Sequence, residues 1–517
     1  MQVGETRQLG VVYTPARVTE PMVRVALAPL CAGRTLDELR ALRVCDPAIG
    51  EGAFVAAVVA VIAEALAAAG APDPLGDARA CVYGVDVDPR AVAIARAATG
   101  CEGLAVGDAL AHEWPCAFDA VVGNPPYVRQ EHLAARKPAL RAFASYDGVA
   151  DLYVYFLELA HRIARPGGRY CFVTPNKWLT AAYATKLRGL LAETVDGVVD
   201  FCGAPLFEGA DAFPCIVWGT IARPRTIARA ADDYDDTDAA PDSRPIRAAR
   251  VDAAEAAAAL DDLATGLAAT GAPHARERFG GAPWFLSAPA DAALLDRICA
   301  QFPPLGELVE PPARGVVTGY NRAFVIDRET RDRLLAAEPG AARIIRPFVK
   351  GRDVAPFELR APTRWILLVD RGTDLSELPH VLAHLAQFRA ALEPGSGRKP
   401  GRYQWYELQD PVGAAVSPSP RLLYQDIQTQ PAAALSDGTC VPDTTVWSLP
   451  SADPALLAIL NSPLYGWFAR RRFPPALNGA VRPKWAYLRT LPIAPGDGPI
   501  DDRYELSAAE RALVAGP

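Results

Sequence analysis

The sequence predicts an α/β protein built on a doubly wound, mostly parallel sheet, followed by a second domain of α+β structure. In the first half of the chain, short apolar runs alternate with helical stretches, as in successive strand–helix–strand units. The 517 residues are enough for two or three domains. The composition, with 50% hydrophobic and 22% charged residues, excludes disordered and fibrous proteins.

The elements of the first domain follow one another along the chain. A strand over 43–45 enters a glycine-rich turn, and an Ala/Val-rich helix covers 53–69. Further strands are predicted at 82–85, 105–106, 118–122 and 170–174, with helices after Pro89 and over 153–164. Glu64 lies inside the apolar stretch 53–69, which favours a buried helix over a membrane span. Ligands of such sheets bind at the carboxyl ends of the strands.

We expect a first domain over 1–285 and a second over 286–517, with 223–280 as a variable connection. The connection holds an acidic run over 232–242 that lacks the Gly and Glu of a calcium loop. Ten cysteines are scattered without a CxxC pair, so neither a metal site nor a disulfide framework is expected. The absence of a signal peptide predicts a cytoplasmic protein without membrane contact.

The first strand ends in the run DPAIGEG over 46–52. Gly50 and Gly52 permit a tight turn and a close backbone approach by a ligand, and a helix N-terminus with free amides follows. The run is not GxGxxG, and no Lys follows the glycines, which favours a ligand without phosphates. Asp46 could then face a cationic group such as an ammonium.

Carboxylates also follow the next two strands. Asp86 follows the second strand directly and could accept both hydroxyls of a ribose, whereas Asp88 could cap the helix that begins near Pro89. Asp108 follows the third strand and could accept a hydrogen bond from an adenine amino group. Helix capping is an alternative for each acid, but three acids at three strand ends describe one adenosine-bearing ligand.

The fourth strand leads into Asn124-Pro125-Pro126-Tyr127. The two prolines fix the backbone and remove two amide donors, so the acceptors that remain are the Asn124 side-chain oxygen and the Pro125 carbonyl. Such acceptors suit the hydrogens of a conjugated amino group, because binding them favours the tetrahedral nitrogen that attacks a methyl carbon. Tyr127 can stack on a planar substrate.

A basic cluster lies near the C-terminus. Its members are Arg470, Arg471, Arg472, Arg482, Lys484 and Arg489, with no acidic residue between 470 and 489. Phe473, Trp485 and Tyr487 are interleaved with them. Basic residues with aromatics suit a phosphate backbone and exposed base faces, although a solvated helix end has the same pattern.

In this order, the motifs resemble the S-adenosylmethionine-dependent amino methyltransferases of bacterial restriction–modification systems, of the gamma class and the adenine-N6 type. The motifs that carry the resemblance are the run 10–15 (GVVYTP), the run 46–52, Asp86, Asp108 and Asn124–Tyr127. The later runs 206–208 (LFE), 315–321 and 346–353 are similar to a further catalytic motif and to the start of the family's target-recognition domain.

The resemblance implies a Rossmann-like class I methyltransferase fold with a C-terminal target-recognition domain. It implies cofactor binding by Tyr13, Thr14, Pro15, Asp46, Pro47, Gly50, Gly52, Asp86, Asp108 and Ala109, and catalysis by Asn124, Pro125, Pro126 and Tyr127. The substrate would be an adenine flipped out of double-stranded DNA, stacked between Tyr127 and Phe207, with Phe213 as the reserve. Phosphate contacts would come from Arg470, Arg471, Arg472, Arg482 and Lys484.

Other functions share parts of this pattern. An N4-cytosine DNA methyltransferase uses the same chemistry, although Asn124 favours adenine. Enzymes that methylate a glutamine amide in release factors, or an RNA adenine, share the Asn-Pro-Pro-Tyr signal but lack a large basic C-terminal domain. A non-enzyme alternative is a DNA-binding specificity subunit. A separately encoded restriction endonuclease or defence-system subunit would be a partner of the modification enzyme.

Overall fold

A computed structural model describes residues 14–202, 204, 206–207, 213–221, 244–395, 398–474, 476 and 479–516. The chain divides into two compact units between Pro289 and Ala290. Within the residues just given, no helix has both the length and the apolar character that a membrane span requires.

The described residues of the first unit form one nine-stranded sheet. Its strands are β1 (Val44–Asp46), β2 (Val82–Asp86), β3 (Leu104–Val106), β4 (Phe118–Gly123), β5 (Ala164–Pro175), β6 (Val195–Asp200), β7 (Pro214–Thr220), β8 (Ile246–Arg250) and β9 (Ala272–His274). The strand order is β3-β2-β1-β4-β5-β7-β6-β8-β9. The first five strands of this order are parallel, β7 is antiparallel to β5 and β6, and β8 is again parallel to β6.

Helices cover both faces of this sheet. They are α1 (Ala16–Cys31), α2 (Leu36–Arg40), α3 (Ala53–Ala68), α4 (Pro74–Ala80), α5 (Pro89–Thr99), α6 (Lys137–Leu140), α7 (Tyr153–Ile163), α8 (Thr185–Ala192) and α9 (Ala256–Leu263). Val122 packs with α1 and α3 in one apolar core, and its neighbour Val121 packs with α7 and α8 in the other. Successive strand residues face opposite sides, so β4 contributes to both cores. The doubly wound fold predicted from the sequence is confirmed.

The structure differs from the prediction for 223–280. Residues 246–274 are not a simple connection, because β8 pairs with β6, β9 pairs with β8, and α9 packs on the sheet. Leu260 and Leu263 of α9 are buried. The many alanines around them weaken the contrast between the apolar and polar faces of the helix, which hid it in the sequence. The acidic run 232–242 lies outside the described residues.

In the part of the second unit that the structure describes, the strands form three small sheets. Its strands are β10 (Ala313–Arg314), β11 (Val325–Ile326), β12 (Ile345–Val349), β13 (Val354–Ala355), β14 (Glu358–Leu359), β15 (Trp365–Leu367), β16 (Arg421–Gln425), β17 (Ala433–Ser436), β18 (Val441–Pro442) and β19 (Val446–Leu449). The sheet orders are β10-β19-β16-β17, β11-β15-β12-β18 and β13-β14. Most neighbours in these sheets are antiparallel, as expected of an α+β domain.

Short helices surround these sheets. They are α10 (Pro289–Gln301), α11 (Leu305–Leu308), α12 (Asn321–Phe324), α13 (Arg328–Ala337), α14 (Pro379–Ala386), α15 (Arg389–Leu392), α16 (Pro454–Leu460), α17 (Pro463–Arg472), α18 (Trp485–Leu488), α19 (Ile500–Arg503) and α20 (Ala508–Ala515). One core packs α10, α16 and α17 against β16, and another packs α13 and α14 against β12 and β15.

Candidate active site

The carboxyl ends of β1 to β4 form one polar edge of the first unit. The parallel register sets Asp46 beside Gly84 in β2, and Asp86 beside Val106 in β3. Cys45 lies beside Val121, so Asp46 ends β1 close to the end of β4, where Asn124 follows. Asp46, Asp86 and Asn124, which the sequence predicted at the ends of separate strands, therefore lie along a single edge of the sheet.

Asp46 is a buried carboxyl group, with 2% of its surface exposed. Its Oδ1 accepts a hydrogen bond from the Ala48 amide at 2.9 Å, whereas its Oδ2 is buried without a partner. Burial, assisted by the nearby charge of Asp86, raises the pKa of Asp46 to about 7. A Cβ added at Gly123 would lie 2.7 Å from Asp46 Oδ1, so the β4 backbone closes over this carboxylate. An unpaired, buried carboxylate of this kind favours a cationic ligand.

Asp86 ties the glycine turn to the end of β2. Its Oδ2 accepts from the Gly50 amide and its Oδ1 accepts from the Asp88 amide, both at 2.9 Å. Each oxygen keeps a further lone pair, so the carboxylate can still accept two hydroxyl groups. Asp88 accepts from the Arg90 amide at 2.9 Å and caps α5, as its position before Pro89 predicted.

The two glycines of the first turn have different roles. Gly52 has a φ of 95°, and a Cβ on it would lie 3.0 Å from the Ala95 Cβ, so close packing against α5 requires glycine there. Gly50 has a φ of 51°, but a Cβ on it would meet nothing within 4 Å. The space beside Gly50 is open, as a ligand that approaches the backbone requires.

Asp108 forms an ion pair with Arg136, a residue that the sequence did not indicate as part of the site. Its Oδ1 accepts from the Leu110 amide at 3.2 Å, and its Oδ2 forms an ion pair with Arg136. Ala109, which lies between Asp108 and Leu110 in the chain, is buried. Arg136 lies in the long segment between β4 and α7, and nothing in its local sequence indicates this contact. Asp108 remains 40% exposed, so its carboxylate is accessible at the same edge.

The Asn124 amide is held at its donor end. Its Nδ2 donates a hydrogen bond to Thr14 Oγ1 at 3.0 Å, while its Oδ1 is buried and has no partner. Thr14 was predicted to bind the cofactor, but its hydroxyl is directed at Asn124. Tyr13 and the rest of the run 10–13 lie outside the described residues. The site therefore offers one unpaired acceptor oxygen after β4, next to the buried Pro125.

Tyr127 is a half-buried aromatic residue at the end of this loop. Its ring lies edge-on to Tyr153, with centroids 6.4 Å apart and an interplanar angle of 74°. The Tyr153 hydroxyl is in turn 2.7 Å from the Tyr183 hydroxyl. Burial raises the pKa of Tyr127 well above its ordinary value, so the phenol stays protonated. These contacts hold the ring without covering it completely.

The structure differs from the prediction for Phe207. Its ring is 4% exposed and belongs to the apolar core that includes Phe201 and Leu206. Phe213, directly before β7, is only half-buried, and its carbonyl accepts a hydrogen bond from the backbone N–H of Asn176 at 2.8 Å. Phe213 is thus the aromatic residue of this pair whose ring is in part accessible. Residues 208–212, which include other members of that motif, lie outside the described residues.

The polar edge continues beyond β4. Asn176, directly after β5, donates from Nδ2 to Asp200 Oδ1 at 2.9 Å at the end of β6. Arg250, at the end of β8, donates from Nε to Cys202 Sγ at 2.7 Å and lies 3.9 Å from Asp200 Oδ2. This cluster could not be recognised from the sequence, in which the region that contains β8 was predicted to be a connection.

Several of the five predicted DNA-contacting residues have internal partners in the second unit. The Arg471 Nε is 2.6 Å from Asp291 Oδ1, and its guanidinium lies over the Trp467 ring at 5.0 Å. Arg470 donates to the Gly516 carbonyl, and Arg482 pairs with Asp426. Arg472 is half-buried, and Lys484 is exposed. The phosphate contacts of all five stay a prediction, but in the structure the guanidinium groups of Arg470, Arg471 and Arg482 bind partners distant in sequence.

Two family descriptions match separate parts of the chain. The Eco57I restriction-modification methylase matches residues 108–207, and the TaqI-like C-terminal specificity domain matches residues 346–493. The first match includes Asp108 and the Asn124–Tyr127 loop, and the second lies entirely in the second unit.

Relatives match over most of the chain. The Type II methyltransferase M.PaeR7I of Pseudomonas aeruginosa is 28% identical over 97% of this chain and 88% of its own length. M.XhoI of Xanthomonas vasicola is 26% identical over 75% of this chain and 71% of its own length. The solved structure of MmeI, a Type IIL restriction-modification enzyme in complex with DNA, has a TM-score of 0.61 at 16% identity, covering 99% of this chain and 71% of that one.

The sequence motifs, the sheet that carries them and these matches agree with one another. The resemblance to restriction–modification methyltransferases with a C-terminal recognition domain is confirmed, as is the fold class. Together they support a restriction–modification methyltransferase that has a C-terminal recognition domain and uses S-adenosylmethionine as its methyl donor.

Proposed function

We propose that this chain is a site-specific DNA methyltransferase that methylates N6 of an adenine flipped out of duplex DNA. The observation that carries the proposal is the state of Asn124. Its amide donor is bound to Thr14, and its amide oxygen is buried and unpaired. A buried unpaired acceptor costs about 1–3 kcal/mol, so its presence after β4 favours a ligand that donates a hydrogen there.

The donor set at the strand ends fits S-adenosylmethionine, which supplies a methyl group on a positively charged sulfur. Asp46 Oδ2 is a buried acceptor without a partner and would pair with a cationic part of the cofactor. The Asp86 carboxylate would accept the ribose hydroxyls, and Asp108 would accept from the adenine amino group. The open space beside Gly50 leaves room for the backbone approach.

The methyl transfer needs acceptors but no basic side chain. Asn124 Oδ1 and the Pro125 carbonyl would accept the two hydrogens of the adenine amino group, and Pro125 and Pro126 contribute no competing N–H donors. These hydrogen bonds shift the nitrogen towards a tetrahedral geometry, in which its lone pair is free to attack the methyl carbon. The bond between the methyl carbon and the cofactor sulfur would break as the new C–N bond forms, and the amino proton would then leave to water.

The flipped base would stack on Tyr127. Flipping costs a few kcal/mol, and aromatic stacking offsets part of that cost at roughly 1–3 kcal/mol for each base. For the other face of the base we now favour Phe213 over Phe207, because the Phe213 ring is partly accessible and the Phe207 ring is enclosed in the core. Tyr127 lies in the segment that follows β4, and Phe213 lies directly before β7.

Duplex DNA is the proposed partner of the second unit, with residues 286–517 as the target-recognition domain. The TaqI-like specificity domain match within it supports this role, as does the DNA in the MmeI structure. Lys484 and Arg489 are exposed and suited to phosphate contacts. A separately encoded restriction endonuclease would recognise the same DNA sequence.

The proposal is tested by incubating the purified protein with duplex DNA and S-adenosylmethionine and analysing the nucleosides by mass spectrometry. N6-methyladenine is the expected product, and N4-methylcytosine or an unmethylated product would overturn the assignment. Asn124→Ala should abolish methylation while binding of DNA and cofactor remains. Asn124→Asp is the matched control, because it keeps acceptor oxygens at this position and should retain more activity than Asn124→Ala.

A further inference from the structure

We infer that Thr14 is a positioning residue of the methyl transfer, which orients the side-chain amide of Asn124. The inference rests on the proposed function and differs from the cofactor-binding role that the family resemblance implied for this residue. It starts from one contact: Asn124 Nδ2 donates to Thr14 Oγ1 at 3.0 Å, although the two residues are 110 positions apart.

The orientation of this amide decides whether the site can work. The oxygen and nitrogen of a primary amide have nearly the same shape, so rotation by 180° exchanges an acceptor for a donor. With Oδ1 in the pocket, Asn124 accepts a hydrogen from the substrate amino group. With Nδ2 in the pocket, two sets of N–H groups face each other and the developing positive charge is repelled. In the structure Thr14 Oγ1 accepts from Nδ2, and in this orientation Oδ1 is left for the substrate.

Thr14 is well placed to hold the amide. It is 5% exposed and directly precedes Pro15, the N-cap residue of α1. The Pro15 carbonyl accepts from the Val18 amide at 2.9 Å, and Val18 and Met22 of α1 are fully buried in the sheet core. The Thr14 backbone is therefore anchored next to a packed helix, which restrains the position of its side chain beside Asn124.

The two roles for Thr14 make different predictions. A cofactor-binding hydroxyl would affect the dissociation constant of S-adenosylmethionine, whereas a hydroxyl that orients Asn124 would affect the rate of methyl transfer at saturating cofactor. One net hydrogen bond corresponds to about a tenfold change in rate. The test therefore needs a binding measurement and a single-turnover rate for each variant.

The experiment compares Thr14→Val, which has the same shape without the hydroxyl, with Thr14→Ser, which keeps it. Thr14→Val should lower the single-turnover rate about tenfold, with calorimetric cofactor affinity and DNA affinity within about twofold of the unmodified chain. Thr14→Ser should recover most of the rate. Thermal unfolding of both variants identifies any loss that comes from folding, and Thr14→Ala serves as a second hydroxyl deletion if the valine variant is unstable.

A double variant separates orientation from general packing. In the Asn124→Asp background no amide donor remains to be directed, so adding Thr14→Val should have a much smaller effect than it has alone. An equal loss in both backgrounds would overturn the inference, as would weaker cofactor binding with an unchanged single-turnover rate. If the unmodified chain makes no N6-methyladenine, the proposed function fails instead, whatever the Thr14 variants do.

Discussion

The buried carboxyl of Asp46 predicts that cofactor affinity depends on pH. Without a ligand its pKa is about 7, because burial and the neighbouring Asp86 disfavour the charged form. A cationic ligand requires that charged form, so binding below pH 7 is coupled to loss of a proton. Affinity should therefore increase as pH rises through 7 and change no further once Asp46 is ionised. At about pH 6 only about a tenth of the carboxyl groups are ionised, which predicts an affinity about tenfold lower than the high-pH limit.

Isothermal titration calorimetry with S-adenosylmethionine between about pH 5.5 and 8.5 measures this dependence, and buffers with different ionisation enthalpies report the proton released. The α-amino group of the ligand titrates near pH 8, so it contributes its own pH dependence. Asp46→Asn is the matched control, because the ligand titration remains in this variant and the Asp46 titration is removed. A ratio of the two affinities that is constant between pH 6 and 8 would refute the reasoning.

The same carboxyl makes an opposite prediction for stability without cofactor. The folded chain has a raised Asp46 pKa, so it binds more protons than the unfolded chain, and its free energy of unfolding decreases as pH rises from about 4 to 7. A pKa near 7 instead of 3.8 corresponds to about 4 kcal/mol against the charged form. Asp46→Asn should therefore raise the unfolding temperature at about pH 8 while it weakens cofactor binding. Such opposite effects are expected of a residue that binds a ligand at a cost in stability.

Two further predictions each compare a residue that is bound within the fold with one that is more accessible to solvent. Arg471→Ala should lower the free energy of unfolding by about 3 kcal/mol in denaturant titrations, because it leaves the buried Asp291 carboxylate without its cation. Lys484→Glu should leave stability unchanged and weaken binding to all duplex sequences, most strongly at low salt, in fluorescence anisotropy. Phe207→Ala should cost about 3–5 kcal/mol of stability. Phe213→Ala should instead reduce the 2-aminopurine fluorescence that reports base flipping; the reverse pattern would restore Phe207 as the stacking residue.

Much of the candidate site was predictable from the sequence because its signals are local. A strand end followed by an acid, a glycine turn or two prolines can be recognised within a few residues. The end of a parallel strand then lies at a known edge of the sheet, so Asp46, Asp86, Asp108 and Asn124 could be expected to meet. Asp88 was recognised as a helix cap for the same reason, since capping depends on the next two residues.

The contacts that the sequence did not reveal join residues far apart in the chain. Thr14 and Asn124 meet only because α1 packs on the sheet beside the end of β4, and their side-chain types give no sign of a hydrogen bond across 110 positions. The local sequence around Arg471 indicates a solvent-exposed cation, but in the folded chain Asp291 and Trp467 lie against its guanidinium. Which apolar or charged side chain becomes buried is decided by long-range packing, and that information exists only in the folded chain.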